Sequence, residues 1–92
     1  MSRGRAEVVI HGRVQGVFFR QSAVDMARTL GVTGWVKNCA DGTVAAVFEG
    51  PRGAVEEAVA WCRQGPSAAR VSDLELTWQE PREEFTEFRI RY

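Results

Sequence analysis

Residues 6–31 read AEVVIHGRVQGVFFRQSAVDMARTLG, and the spacing of their apolar side chains changes once along the stretch. Apolar residues first alternate at Ala6, Val8 and Ile10, which predicts a β-strand. Beyond an irregular segment they recur at i, i+3, i+4 and i+7, the spacing of one helix face, at Ala23, Met26, Ala27 and Leu30. Gly31 follows directly and is well placed to end this helix in the left-handed conformation. The stretch therefore predicts a strand followed by an amphipathic helix.

The next part of the chain predicts a β-hairpin. Residues 32–37 are rich in β-branched and aromatic side chains, and Val44, Ala46 and Phe48 alternate with their neighbours. Between these segments, residues 38–42 read NCADG, and the Asp-Gly pair is typical of a tight turn. We therefore expect the second and third strands to pair with each other.

A second helix and two further strands complete the pattern. Helical spacing recurs at Val55, Ala58, Val59 and Cys62. Gly65-Pro66 is expected to end this helix, with the glycine just past its last turn. Alternation over residues 73–78 predicts a fourth, half-exposed strand, and residues 88–92 predict a short fifth strand after a polar break at 80–84.

The order strand, helix, strand, strand, helix, strand predicts an α+β fold of the ferredoxin-like, split βαβ type, βαββαβ with a short C-terminal strand added. We expect an antiparallel sheet with both helices on one face and the other face partly exposed to water. The position of the fifth strand in the sheet is left open. No linker interrupts the pattern, so we expect residues 1–92 to form a single domain.

Composition narrows the class of protein. With 12 basic and 12 acidic residues the chain has no net charge, so it lacks the long-range attraction of a basic protein to nucleic acid or an acidic membrane. No apolar run approaches the roughly 20 residues of a membrane-spanning helix, and we recognise no secretory signal. Cys39 and Cys62 are far apart, and His11 is the single histidine, which favours reduced thiols in a cytoplasmic protein without a zinc cluster.

The segment between the first strand and the first helix, residues 12–20, has the composition of an anion-binding loop. Gly16 can adopt backbone angles closed to other residues, so that successive N–H groups turn toward one point. Such a group of amides at a helix N-terminus favours an anion, and Arg20 can add two parallel hydrogen bonds to a phosphate. On these residues alone, the alternative is a tight turn with Arg20 on the surface.

A second informative segment is Gly34-Trp35-Val36-Lys37-Asn38, followed by Gly42, Val44 and Gly50. Asn38 lies where the second strand enters its turn. Its side chain either bonds the turn backbone, as asparagine often does, or uses its carbonyl and amide to hold one water molecule in a fixed orientation. The spacing alone leaves both interpretations open.

Together these segments resemble the acylphosphatase family. Residues 10–20, IHGRVQGVFFR, are similar to the first signature of the family, and residues 34–38 with the glycines and valine that follow are similar to the second. The closing residues 88–92, FRIRY, resemble the usual end of the family. With the length and the element order, the resemblance spans nearly the whole chain.

The resemblance implies hydrolysis of the carboxyl–phosphate bond of acyl phosphates to a carboxylate and inorganic phosphate. In the family pattern Arg20 binds the phosphoryl group, and Asn38 orients the attacking water. The substrate-binding amides are those of Gln15, Gly16, Val17, Phe18, Phe19 and Arg20. Neither a metal ion nor a cofactor is implied. Because the grip is mainly on phosphate, we expect many acyl groups to be accepted.

The single histidine, one aspartate and the tryptophans are assigned no catalytic role. His11 is interpreted as a bystander on the first strand, since a lone histidine is weak evidence of catalysis. Asp41 is expected to point into its turn, because a carboxylate beside a bound phosphate would weaken binding. The three tryptophans are expected to pack: Trp35, Trp61 and Trp78.

Two other functions remain as alternatives. One is a non-catalytic module that binds phosphate or carbamoyl phosphate without turning it over. The other is an RNA-binding domain, but residues 43–48 read TVAAVF, which lacks the exposed aromatics that such a domain needs on its central strands. We therefore expect a small acyl phosphate as substrate and inorganic phosphate or sulfate as a product-like ligand. We expect no nucleic-acid or membrane partner, and a monomer.

Overall fold

A computed structural model describes residues 2–92, which form five strands and two helices. In chain order the elements are β1 (Arg3–Arg13), α1 (Phe19–Leu30), β2 (Thr33–Asn38), β3 (Val44–Pro51), α2 (Arg52–Gln64), β4 (Arg70–Gln79) and β5 (Phe88–Ile90). This is the predicted order, but β1 and β4 extend beyond the segments in which apolar residues alternate. Within residues 2–92, no helix is both long and apolar enough to cross a membrane.

The strands form one sheet in the order β4-β1-β3-β2-β5. The pairs β4–β1, β1–β3 and β3–β2 are antiparallel, and β3 lies between β1 and β2, which confirms the ferredoxin-like arrangement. The fifth strand, whose position the sequence left open, pairs with β2 in parallel, with Gly34 opposite Phe88 and Val36 opposite Ile90. The sheet is therefore mixed rather than wholly antiparallel.

The core lies between the sheet and the two helices. Ala6, Val8 and Ile10 of β1 are buried, as their alternation predicts, and they form one cluster with buried side chains of α1 and α2. Two aromatic pairs help to fill it: Phe48 stacks on Phe88 with centroids 5.1 Å apart, and Phe19 meets Trp61 edge-on at 5.3 Å. This packing fixes the start of α1 against α2.

The opposite face of the sheet is partly covered by the segment 80–87. Glu49 of β3 is buried there, and its carboxylate accepts the backbone N–H groups of Arg82 and Glu83. Arg5 of β1 is buried beside it and forms an ion pair with Glu84 at 2.9 Å. We call residues 80–87, which include the predicted polar break, the strap. The strap covers part of a sheet face that we expected to be partly exposed to water.

Candidate active site

The loop between β1 and α1 has two residues in the left-handed conformation. Gly16 has φ 73°, as its sequence position suggests, and Phe18 has φ 62°, which is uncommon for a residue other than glycine. Between them Val17 is buried in the core. Left-handed residues next to right-handed ones turn consecutive N–H groups to the same side, which creates a concave group of donors.

This loop leads into the N-terminus of α1 without a cap. Phe18 precedes the helix and makes no side-chain hydrogen bond to its first turn, and that turn contains no acidic residue. The first backbone N–H groups of a helix have no partners within the helix, and the helix dipole favours negative charge beside them. The backbone N–H groups of the first turn of α1, which contains Arg20, are therefore available to an anion.

Arg20 carries a positive charge that no acidic side chain neutralises. Among residues 2–92, no carboxylate lies within ion-pair distance of its guanidinium. The ring of Tyr92 lies beside it, with its centroid 5.5 Å from Cζ. The guanidinium is thus available to an incoming anion.

Asn38 faces the same space from the end of β2. Its Oδ1 is buried and has no hydrogen-bond partner within residues 2–92. The side-chain hydrogen bonds to this turn within residues 2–92 come from Gln15, Asp41 and Thr43 and not from Asn38, so the interpretation in which Asn38 bonds the turn backbone is not the one the structure shows. An unsatisfied buried oxygen is uncommon in folded proteins and calls for an explanation such as a functional role.

One pocket of about 280 Å³ joins these parts. Its lining comprises Val14, Gly16, Phe18, Phe19, Arg20, Gln21, Asn38 and Ile90, and this set includes no carboxylate and no histidine. Of the residues expected to act, Gln15 and Val17 do not line it, whereas Val14, Gln21 and Ile90 were not anticipated. The pocket therefore combines amide and guanidinium donors with an apolar side.

Gln15 instead fastens the loop to the β2–β3 turn. Its Nε2 donates to the backbone oxygens of Cys39, at 2.8 Å, and Thr43, at 2.9 Å. The family resemblance assigns only the backbone amide of Gln15 to substrate binding. A single glutamine in a loop shows no spacing that would predict this side-chain contact. The two contacts connect the donor loop directly to the turn that follows Asn38.

Asp41 points into the turn, as expected. The hydroxyl of Thr43 donates to Oδ1 at 2.6 Å, and the Thr43 backbone N–H donates to the same oxygen at 3.0 Å. These hydrogen bonds hold the pKa of Asp41 below its ordinary value. The carboxylate is therefore occupied within the turn.

Other candidate groups lie outside the pocket. His11 pairs with Glu75 between β1 and β4, which agrees with the interpretation of His11 as a bystander. Trp61 and Trp78 pack against the core, and Trp35 lies under the guanidinium of Arg91 at 4.7 Å. Within residues 2–92, no three His, Cys, Asp or Glu side chains are grouped so that they could hold a metal ion.

Comparisons with known proteins point to one family. The family model described as Acylphosphatase matches residues 6–90. An acylphosphatase from Pelotomaculum thermopropionicum is 54% identical over 92 residues, covering 100% of both chains. An acylphosphatase from Pyrobaculum arsenaticum is 54% identical over 91 residues, covering 98% of this chain and 96% of the relative.

Solved structures agree with this assignment. An acylphosphatase from Coxiella burnetii has a TM-score of 0.91 at 37% identity, with 97% of this chain and 93% of that chain covered. Acylphosphatase from Bacillus subtilis has a TM-score of 0.92 at 34% identity, with 97% and 99% covered. Around the signatures at residues 10–20 and 34–38, both the sequence and the fold match those of acylphosphatases over nearly the whole chain. The chain belongs to the acylphosphatase family.

Proposed function

We propose that this enzyme of the acylphosphatase family hydrolyses acyl phosphates by holding the phosphoryl group at the N-terminus of α1 and directing water onto phosphorus from Asn38. The products are a carboxylate and inorganic phosphate. The observation that carries the proposal is that Arg20, an uncapped helix N-terminus and the unpaired amide group of Asn38 line one pocket.

The phosphoryl group is held by donors alone. The guanidinium of Arg20 matches two phosphate oxygens with parallel N–H groups, and the backbone amides of residues 15–20 supply the remaining hydrogen bonds. Because the lining includes no carboxylate, nothing in it repels the anion. The same donors stabilise the charge that develops on the phosphoryl oxygens in the transition state.

Asn38 positions the attacking water. Its Oδ1 has no hydrogen-bond partner within residues 2–92, so the carbonyl accepts one hydrogen bond from the water while the amide nitrogen donates another to the water oxygen, and together they fix where the water lies. Positioning of this kind lowers the barrier without proton transfer to the protein.

The chemistry needs neither a general acid nor a strong base. The leaving group is a carboxylate of low proton affinity, so it departs unprotonated. The transition state of phosphoryl transfer is loose, which makes water an adequate nucleophile. We infer that the proton of the water passes to a phosphoryl oxygen of the substrate, consistent with a lining without histidine or carboxylate.

The proposal includes the domain extent, the oligomeric state and the location of the enzyme. Residues 1–92 act as one acylphosphatase-like domain, which is supported by the single sheet and single core cluster found within residues 2–92. The substrate is a small molecule, and the enzyme works as a monomer in the cytoplasm without a metal ion or cofactor. Non-catalytic phosphate binding and RNA binding are the outcomes that the following experiment separates from hydrolysis.

The test compares Arg20→Ala with Asn38→Ala. Release of benzoate from benzoyl phosphate gives kcat and KM, and competition by inorganic phosphate gives its inhibition constant. Arg20→Ala removes the main phosphate ligand, so we expect kcat/KM to fall at least about 1000-fold and phosphate inhibition to disappear. Asn38→Ala removes only the water-positioning group, so kcat should fall roughly 100-fold while phosphate inhibits as before.

Arg20→Lys is the matched control for charge. An ammonium keeps the positive charge but lacks the planar pair of donors, so this variant should remain close to Arg20→Ala. Near-normal kcat/KM in Arg20→Ala would refute the site. Phosphate binding by the unmodified chain without benzoate release would favour the non-catalytic module, and a salt-sensitive shift with an oligonucleotide would favour RNA binding.

A further inference from the structure

Exposed aromatic side chains are concentrated at the mouth of the pocket. Among residues 2–92, the exposed large hydrophobic side chains are Phe18, at 82% of its full accessibility, and Tyr92, at 95%. Phe18 lines the pocket, and the ring of Tyr92 lies 5.5 Å from the Cζ of Arg20, which lines it too. We call Phe18 and Tyr92 the aromatic rim. Large apolar side chains are normally buried, so the exposure of both beside one pocket needs a reason.

Phe18 is unfavourable for folding in two ways. Its backbone is left-handed, with φ 62°, where glycine or asparagine is accommodated with less strain. Its ring is almost fully exposed, so it contributes little to the core. Neither local structure nor packing therefore explains a phenylalanine at this position, and a role in binding does.

The lining of the pocket divides by chemistry. Arg20 and Asn38 have polar side chains and Gly16 exposes its backbone, whereas the side chains of Val14, Phe18 and Ile90 are apolar. A phosphoryl group takes the polar side, since it needs hydrogen-bond donors. The acyl group is covalently attached to it and must lie within a few ångströms, which brings it to the apolar side and the rim.

We propose that the aromatic rim binds the acyl group and gives this enzyme a preference for aromatic or bulky apolar acyl phosphates over acetyl and carbamoyl phosphate. An aromatic tail stacks on exposed rings with a favourable contact that a methyl or an amino group does not make. This inference rests on the proposed function and narrows the broad acceptance of acyl groups that the sequence suggested.

The experiment measures one ratio, kcat/KM for benzoyl phosphate divided by kcat/KM for acetyl phosphate. Phe18→Asn removes the ring and tolerates the left-handed backbone, so the ratio should fall roughly five- to tenfold. Phe18→Tyr retains the ring as the matched control and should keep the ratio within about twofold of the unmodified enzyme. Tyr92→Ser and Tyr92→Phe form the corresponding pair on the other side of the rim.

A binding readout makes the result independent of turnover. Phenylphosphonate and methylphosphonate present the same anion with and without an aromatic ring, and the ratio of their inhibition constants should follow the kinetic ratio. If both ratios are the same in Phe18→Asn, in Tyr92→Ser and in the unmodified enzyme, the rim does not bind the acyl group. If the unmodified chain hydrolyses neither acyl phosphate, the proposed function itself fails. That outcome is distinct from unchanged ratios, which are measured only where the enzyme turns over.

Discussion

Gln15 shows how a single side chain can affect catalysis without touching the substrate. Its amide donates to two carbonyl oxygens of the β2–β3 turn, at 2.8 and 2.9 Å, and so fixes the distance between the donor loop and Asn38. Both carbonyls have other partners, since Cys39 O also accepts from Gly42 N and Thr43 O from Cys39 N. Loss of the Gln15 contacts therefore leaves neither carbonyl unsatisfied.

For Gln15→Ala we expect a small loss of stability and a larger loss of turnover. The free energy of unfolding should fall by about 1–2 kcal/mol, since two hydrogen bonds are lost and each is worth roughly 1 kcal/mol or less in net terms. The kcat should fall about tenfold, because misplacement of the water by a fraction of an ångström is costly for positioned reactants. Urea unfolding and benzoyl phosphate kinetics measure the two effects.

The control is the same substitution made in the Asn38→Ala background. A positioning residue that acts through Asn38 has little left to position once that amide is absent, so Gln15→Ala should then lower kcat no further than about twofold. An equal fall in both backgrounds would mean that Gln15 supports the fold and not the alignment of the site.

At the scale of elements, the β2–β3 turn depends on an ionised carboxylate. Asp41 accepts two hydrogen bonds from Thr43, and these lower its pKa in the folded protein below the ordinary 3.8. The ionised form therefore stabilises the fold above about pH 3.8, and this contribution is lost as the pH falls toward the lower pKa of the folded state.

We expect Asp41→Asn to lose less stability than the unmodified chain between pH 5 and about pH 2.5, because the variant has no charge to titrate at this turn. Denaturant unfolding at the two pH values gives the difference. Glu57→Gln is the matched control, since Glu57 is exposed on α2 and makes no hydrogen bond or ion pair among residues 2–92. An acid sensitivity of Asp41→Asn equal to that of the unmodified chain would contradict the role of Asp41.

The elements that the sequence predicts well are those whose signals are local. The helical spacing that ends at Gly31 gives α1 its C-terminus, and Gly31 has the expected left-handed φ of 74°. The parallel pairing of β5 with β2 has no local signal, because three residues can pair in either direction and the choice depends on Phe88 packing on Phe48. The same holds for Phe18, whose left-handed backbone contradicts its own preference and is imposed by the loop.

The site residues also differ in whether the sequence predicts them. Arg20 and Asn38 are predicted because they lie within signatures whose order of residues is specific to the family. The side-chain bridge from Gln15 and the apolar lining from Ile90 join segments far apart in the chain, and a single sequence holds no record of such contacts.

For the whole molecule, stability depends on a buried charge network that joins the sheet to the strap at residues 80–87. Arg5 and Glu49 face each other across β1 and β3, with side chains 5% and 0% exposed and their nearest N and O atoms 3.6 Å apart. Glu49 also accepts backbone N–H groups of the strap, while Phe85 lies over the guanidinium of Arg5 at 5.2 Å. Removal of Arg5 leaves the Glu49 carboxylate buried with no cationic side chain paired to it among residues 2–92, whereas removal of Glu49 leaves Arg5 paired only with Glu84 and the strap without its acceptor.

We expect Arg5→Met and Glu49→Leu each to lower the free energy of unfolding by about 3 kcal/mol, because an unpaired buried charge, or a strap without its acceptor, remains. The double variant should lose clearly less than the sum of the two, since it leaves no isolated charge.

Arg3→Met is the control: Arg3 pairs with Glu83 on the same strap, but with side chains 45% and 61% exposed, so its loss should cost about 1 kcal/mol at most. Urea unfolding of the five proteins measures the cycle. Additive losses would show that Arg5 and Glu49 act independently, and the strap would then be held by its backbone contacts and by Phe85 rather than by the pair of charges.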